Sequence, residues 1–438
     1  MLEKICIILA INLIFYFKTL KFKYVSDDIP VFHHPPKTKH RWHRLFLWLR
    51  GDMRWKPEND HVLTMGTHAL ISVLLYLAFG ATNISFVAAI LFSINPVNNQ
   101  GSMWISGRGY TLPTLFILSA MCIPVLAPVF LFLCSFFTIG YLAPIVVIGT
   151  SKWWLILIMP IIWAFFAKKF KTAVKNKIAM ETVIEDKVFK PRKLILAIKT
   201  AGFYLALCVF PFKITFYHSF LQSCAGNDIM KKRAYSLCKF FWIGIGAMIG
   251  SLVYWYLFGW DLVTCGMFWY FIGIAPFSNI RRVQQEISER YAYFPNVGVM
   301  IALAALIVNY PVLITLFATM YGTKLFAIMR MYQDDYWLVE MATAEDIDAW
   351  YAWHIRGHKR WSVKSYREAL IMWVMAKIIS PKEFKLLFNI AVVMKVIGNE
   401  PESKKYIQLA RDNVIPGQEE GVEVFFKDYA AGKHPLLI

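Results

Sequence analysis

The chain has no CxxC pair and no His-rich metal pattern, so neither a zinc site nor a dithiol redox centre can be read from its 7 cysteines. Cys6, Cys122, Cys134, Cys208 and Cys265 lie in apolar runs and read as small core residues. Cys224 and Cys238 flank one loop and could pair only in an oxidising compartment. Acidic charge is scarce too: 28 Asp and Glu stand against 47 Lys and Arg, a formal net charge of +19. The basic residues are spread among hydrophobic runs, which argues against a nucleic-acid partner. No small-residue cleavage site follows the apolar run Ile5 to Phe17, so that run is expected as a retained first span.

What the chain does have is apolar length. It is 58% hydrophobic with a mean hydropathy of +0.48, above the roughly 45–50% of soluble domains. An all-α polytopic membrane protein is expected over 1–324, with about 10–11 spans of ~20 residues. The spans fall near 2–18, 61–79, 84–97, 111–126, 128–149, 152–167, 194–213, 239–258, 262–279 and 294–320. Its 16 Trp suit two interfacial belts. Within the basic first loop, 18–60, Trp42 to Leu49 is amphipathic and suits the membrane interface. The short basic loop 168–193 is expected in the cytoplasm. The same rule would draw 18–60 there as well, although one crossing separates it from the N-terminus. Its positive charge serves either topology and anionic headgroups or an anionic substrate such as a lipid phosphate.

From about 325 the composition turns acidic, with Asp334, Asp335, Glu340, Glu345, Asp346 and Asp348. Residues 325–438 are expected as a soluble helical tail. Ala369, Ala376 and Pro381 recur as Ser403, Ala410 and Pro416, at offsets of 34, 34 and 35 (403 − 369, 410 − 376, 416 − 381). That period is the tetratricopeptide signature. So short an array needs a neighbour, either the membrane domain or a protein partner.

Several polar residues interrupt the apolar domain. Asp27 and Asp28 follow the first span. Adjacent carboxylates repel, which tends to raise the pKa of one of them; they are candidates for a catalytic base, or they cap the turn before Pro30. Arg108 stands between Gly107 and Gly109, where a guanidinium binds phosphate bidentately or snorkels to the boundary. Glu289, Arg290 and Tyr291 offer a second phosphate contact oriented by Glu289, or an ion pair locking two spans. His61 and His68 are seven apart on one helical face and read as packing or as ligands. His33, His34, His40 and His43 crowd the first loop at spacing too loose to specify a metal; no metal site is assigned, a divalent metal stays open, and no bound cofactor is expected.

Three stretches carry a family resemblance. They are Asp60-His61-Val62-Leu63-Thr64 with Thr67-His68-Ala69-Leu70-Ile71-Ser72; Phe92-Ser93-Ile94-Asn95-Pro96-Val97-Asn98 with Trp104-Ile105-Ser106-Gly107-Arg108; and Pro276-Phe277-Ser278-Asn279 with Glu289-Arg290-Tyr291-Ala292-Tyr293-Phe294-Pro295-Asn296-Val297-Gly298. In order and spacing these resemble the transmembrane-and-tetratricopeptide O-mannosyltransferases, a GT-C glycosyltransferase family. Phe210-Pro211 with Tyr217-His218 is similar to a later loop of that family. The resemblance covers about 24–300.

It implies a GT-C-type bundle whose first non-cytoplasmic loop carries catalytic acid, the position of Asp27 and Asp28. It also implies transfer of a sugar from a polyprenyl-phosphate carrier to a protein or glycan hydroxyl, in a bacterial inner membrane or an endoplasmic reticulum. Such transfer needs a base (Asp27 or Asp28) and cations on the leaving phosphate (Arg108, Arg290). Glu289, Tyr291, His61 and His68 support them. The chain departs from the family at four positions: His is usual where Asn95 and Asn98 stand, Glu where Gln100 stands, and Asp where Tyr110 stands. Those exchanges motivate the rival expectation of a silent scaffold that binds a partner through its tail. A transporter is a third class, but no inverted repeat is visible. Ten spans would return the tail to the cytoplasm. The family implies the opposite face, and so one miscounted element in 111–167 or in the last stretch.

Overall fold

The computed structural model describes residues 1–26, 28–33, 41–51, 53–134, 136–137, 191–222, 224–280, 285–414 and 418–437. Among these every regular element is a helix, with no strand. Asp27, His34, His40, Trp153, Trp154 and most of the stretches 128–149, 152–167 and 168–193 lie outside them.

The first helices are α1 (Leu2–Tyr16), α2 (Asp28–His33), α3 (Arg41–Arg50), α4 (Pro57–Ala78), α5 (Asn83–Ile94), α6 (Asn99–Ser102), α7 (Arg108–Cys122) and α8 (Ala127–Cys134). The amphipathic stretch of the first loop is α3. Pro57 opens α4 because it needs no N–H there, and Glu58 and Asp60 complement the free N–H groups of the first turn. Thr82 caps α5 by accepting the Ser85 N–H at 3.1 Å. Pro96 ends α5 by holding Asn95 extended, ψ 120°. Cys6 is exposed on α1 and is not a core residue, whereas Cys134, Cys208 and Cys265 are buried. Cys224 and Cys238 are both free thiols.

There follow α9 (Pro191–Val209), α10 (Asp228–Tyr235), α11 (Lys239–Phe258), α12 (Leu262–Ile274), α13 (Tyr293–Ile307) and α14 (Pro311–Met329). The loop expected at 214–238 contains α10. The single span expected at 294–320 is two helices, α13 and α14. Pro311 starts the second and forces Tyr310 out of helical geometry, with ψ 83°. α12 and α13 approach through small residues: a Cβ on Gly298 would lie 2.3 Å from the Gly266 carbonyl oxygen. Beside that contact, Trp269 stacks on Phe294 with ring centroids 5.0 Å apart. Among the described residues three stretches are long and apolar enough to cross a membrane: Pro57–Ala78, Asp228–Phe258 and Pro311–Tyr332. Asn83–Ile94, Pro124–Cys134, Leu262–Phe277 and Tyr293–Ile307 are shorter apolar helices.

The tail comprises α15 (Asp335–Glu345), α16 (Trp350–Ser362), α17 (Tyr366–Ile379), α18 (Phe384–Val396), α19 (Glu400–Asp412) and α20 (Glu419–Ala430). α16 and α18 start 34 residues apart (384 − 350), as do α17 and α19 (400 − 366). The repeating unit is a helical hairpin. Ala369, Ala376, Ser403 and Ala410 are all buried, which is why small residues recur at that period.

Polar connections gather at one end of the bundle. Lys23 N–H donates to the Gln333 carbonyl at 3.0 Å. Ser219 donates its N–H and its hydroxyl to Asp346, at 2.7 and 2.8 Å. Ala225 N–H donates to Ser380 Oγ at 2.7 Å. The first loop, the segment after α9 and the tail therefore share a face. At the opposite end Lys4 Nζ donates to Asn83 at 2.6 Å.

Candidate functional site

After α1 the chain runs through a single-turn helix, Phe17–Lys21, into an extended stretch and then into Ser26, whose φ is +53°. Asp28 opens α2, with Pro30 tolerated in the first turn. The Asp28 carboxylate is buried. Its Oδ1 accepts from Arg54 Nη2 at 2.5 Å, Ser106 Oγ at 2.7 Å and Ser106 N–H at 3.2 Å. Its Oδ2 is buried and has no hydrogen-bond partner among the described residues. Arg54 is fixed in turn by donating to the Gly51 carbonyl and, at 2.5 Å, to Ser106 Oγ.

A second buried pair stands close by. Asp60 Oδ1 accepts from Trp48 Nε1 at 2.5 Å and Arg108 Nη2 at 3.1 Å; Oδ2 accepts from the Tyr24 hydroxyl at 2.7 Å and Trp55 N–H at 3.0 Å. Arg108 also donates to Thr64 Oγ1 at 2.9 Å, the Trp48 carbonyl at 2.8 Å and the Asp60 carbonyl at 2.6 Å. Burial, and then its bond to Asp60, hold the Tyr24 phenol far above its ordinary pKa. Two carboxylates face two guanidiniums, so the cluster is close to neutral. A buried ion pair of this kind is costly to break from one side. Arg108 is completely buried and its donors point at protein oxygens, so it presents no open face to a phosphate.

The third charge lies across the same end. Glu289 is buried; Oε1 accepts from Thr215 N–H at 2.8 Å and faces His218 Nε2 at 2.7 Å, and Oε2 accepts from Gln100 Nε2 at 2.5 Å. Gln100 Oε1 takes the Ser288 hydroxyl at 2.7 Å and the Arg290 N–H at 3.3 Å. A neutral amide fits here because it donates to one neighbour and accepts from others. The Arg290 guanidinium lies over the rings of Trp104, Tyr110 and Tyr291, at 5.3, 6.0 and 5.2 Å. Tyr291 stacks on Phe277 at 4.5 Å.

The other exchanged amides are also engaged. Asn95 Nδ2 donates to the Cys208 carbonyl at 2.9 Å. Asn98 Nδ2 donates to the Phe92 carbonyl at 2.7 Å, and Asn98 Oδ1 accepts from Asn296 at 3.1 Å. His61 and His68 are both buried inside the bundle, as their spacing on α4 requires. His68 bridges the Tyr293 hydroxyl at 2.7 Å and the Ser93 carbonyl at 3.1 Å, a packing role. His61 packs against Phe22.

One short segment joins these centres. From residue 104 to 110 alternate side chains serve each in turn: Trp104 lies under Arg290, Ser106 binds Asp28, Arg108 binds Asp60, and Tyr110 returns to Arg290. Gly107 allows the segment to pass here, because a Cβ would sit 1.9 Å from the Gln100 carbonyl oxygen. The structure thus brings Asp28, Glu289, Arg290 and Tyr291 around one segment and gives Arg108 to Asp60. The sequence reading missed Arg54, Asp60, Gln100, Ser106 and His218 as site residues. Asp60, Ser106 and His218 lie in stretches already quoted, Gln100 is one of the four departures and Arg54 belongs to the basic first loop, but no spacing rule pairs residues so far apart in the chain. Among the described residues no group of His, Cys, Asp and Glu side chains could hold a metal ion.

No protein-family model matches this chain, and no curated protein matches it.

Proposed function

We propose that this chain is a multi-pass membrane glycosyltransferase of the GT-C type, moving a sugar from a polyprenyl-phosphate carrier to a hydroxyl of a protein or glycan. One observation carries the reading. Asp28 has one carboxylate oxygen saturated by Arg54 and Ser106, while the other is buried and has no partner among the described residues. An acceptor hydroxyl donating to Oδ2 would lose its proton to Asp28 as its oxygen attacks the anomeric carbon. The carbon–oxygen bond to phosphate breaks, and the polyprenyl phosphate departs with the electron pair. Such general-base assistance is worth ~10²–10⁴-fold. Arg290, which lies over the rings of Trp104, Tyr110 and Tyr291, would contact the phosphate, Glu289 and Tyr291 fix its position, and Asp60 and Arg108 brace the loop.

Two further features support the reading. A groove of about 470 Å³ between Phe210–Phe212 and α14 is lined by Phe210, Pro211, Phe212, Met320, Thr323 and Lys324, suiting an isoprenoid chain. The break between α13 and α14 raises the expected count of crossings from ten to eleven. An odd count puts first loop and tail on one side, in keeping with the hydrogen bonds that join them, and a cytoplasmic N-terminus would make that side non-cytoplasmic. The tail then reads as a tetratricopeptide-like domain on the acceptor's side.

The silent scaffold stays as a second reading because the Arg108 donors and the Asn95, Asn98 and Gln100 amides are spent on internal bonds. Asp27→Asn and Asp28→Asn, singly and together, assayed for glycan transfer in membranes, separate the two. The enzyme reading expects loss of transfer at normal protein level, and the single variants identify which carboxylate takes the proton. Unchanged glycosylation in all three variants leaves the scaffold.

A further inference from the structure

The tail holds a short extended segment against itself. After α20 the chain turns at Gly432, φ +82°, and runs through residues 431–434, which are exposed. It then crosses to α18, where Asn389 is buried with no exposed surface. Both ends of the Asn389 amide engage the backbone of one residue: Nδ2 donates to the Leu437 carbonyl at 2.8 Å, and Oδ1 accepts the Leu437 N–H at 2.8 Å. His358 on α16 lies 3.1 Å from the same carbonyl oxygen. The Leu437 side chain is buried in the cluster of Leu387, Phe388 and Phe426, and Leu436 packs where Trp361 joins the two tail cores.

A side-chain amide that pairs with both the N–H and the C=O of one residue reads extended backbone whatever its sequence. The apolar pocket beside it then selects a leucine-sized side chain. Neither contact depends on the segment belonging to the same chain. The segment lies outside the helices of the hairpins, and residues 431–434 of the connecting arm are exposed.

We propose that the face formed by α16, α18 and α20 is a peptide-binding groove for an extended partner segment carrying two consecutive leucine-sized residues, and that Pro435–Leu437 fills it in cis until displaced. Tethering by a short arm gives the internal segment an effective concentration in the ~mM range, so a partner must outcompete it. Neither the groove nor its test depends on glycosyl transfer.

The test uses the full chain in detergent and a fluorescent peptide copying residues 431–437, read by polarisation. Leu436→Asp with Leu437→Asp empties the groove. The emptied protein should bind the peptide on the order of tenfold or more tighter than the unaltered chain. Adding Asn389→Ala should remove that gain, and a peptide with Asp at both leucine positions should not bind. Equal binding by the emptied and unaltered proteins, or a gain that survives Asn389→Ala, overturns the proposal. So does an emptied tail that no longer melts cooperatively, since the segment is then core. Concentration-dependent dimers of the unaltered chain that vanish on emptying would assign the groove to a second copy and overturn the partner.

Discussion

The backbone N–H of Ser26 donates to Asp335 Oδ1 at 2.7 Å, across 309 residues of chain. Ser26 is held at positive φ immediately before the acidic pair, and Asp335 opens α15 and also pairs with Lys359. The tail thereby fixes the backbone that presents Asp28. Asp335→Ala is expected to lower transfer while the chain still accumulates. A hydrogen bond to a charged group is worth about 1.5–3 kcal/mol, roughly ten- to a hundredfold if all of it acts on presentation. Transfer per mole of protein in membranes checks this, and full activity would show that the loop holds itself.

Arg108 and Asp60 make the opposite expectation. Removing one partner of a buried pair costs about 3–5 kcal/mol, so Arg108→Leu should lower the melting temperature sharply, and Asp60→Leu in the same chain should recover much of it. A phosphate ligand behaves differently: Arg108→Lys would leave melting unchanged and raise KM for the lipid donor. Melting and KM measured on the same variants distinguish the two roles.

Gly107 and Gly109 form a matched pair. A Cβ at Gly107 meets the Gln100 carbonyl at 1.9 Å, while one at Gly109 meets nothing within 4 Å. Gly107→Ala should destabilise by about 1–3 kcal/mol through overpacking, and Gly109→Ala should stay within about 0.5 kcal/mol. Thermal melting of the two variants in one detergent is the check.

The tail should weaken in acid. Burial, with Lys359 and Lys385 nearby, lowers the His358 pKa to about 4, and burial, with His358 and Lys385 nearby, holds His354 well below its ordinary value. Both are neutral when folded and gain protons on unfolding, so their contribution is full above pH ~6.5 and falls away toward the folded values. For His358 the loss is on the order of 3 kcal/mol. Glu383, raised by burial, works in the opposite sense. Chemical denaturation of the tail between pH 7 and 4 should show stability falling; a flat profile would contradict the burial of these rings.

The sequence made the helices and the 34-residue repeat legible, because periodicity is a local signal, and it marked Glu289 and Arg290 as isolated charge in apolar chain, where the structure has both side chains buried. Pro311 was visible too, but the apolar run continues past it, so one span was expected where α13 and α14 stand. In the proposed topology that single break changes the parity of crossings and hence the side of the tail. Arg54 was hidden among the ten Lys and Arg residues of the first loop. Only the turn at Gly51 and the arrival of Ser106 from a distant segment select it as the partner of Asp28. Arg108 was legible as buried charge, but its use was not, because Asp60 was read as the start of a span and not as a counter-ion.

The most direct measurement is sugar transfer by the purified chain in lipid nanodiscs. It is given a radiolabelled polyprenyl-phosphate sugar and an acceptor peptide, and transferred label and free polyprenyl phosphate are counted together. The expected result is one polyprenyl phosphate released per sugar moved, with Asp28→Asn slower by about 10²–10⁴-fold at equal protein and still binding the lipid donor. Transfer at the same rate by the unaltered and Asp28→Asn proteins would contradict the assignment of the base to the unpartnered Asp28 oxygen.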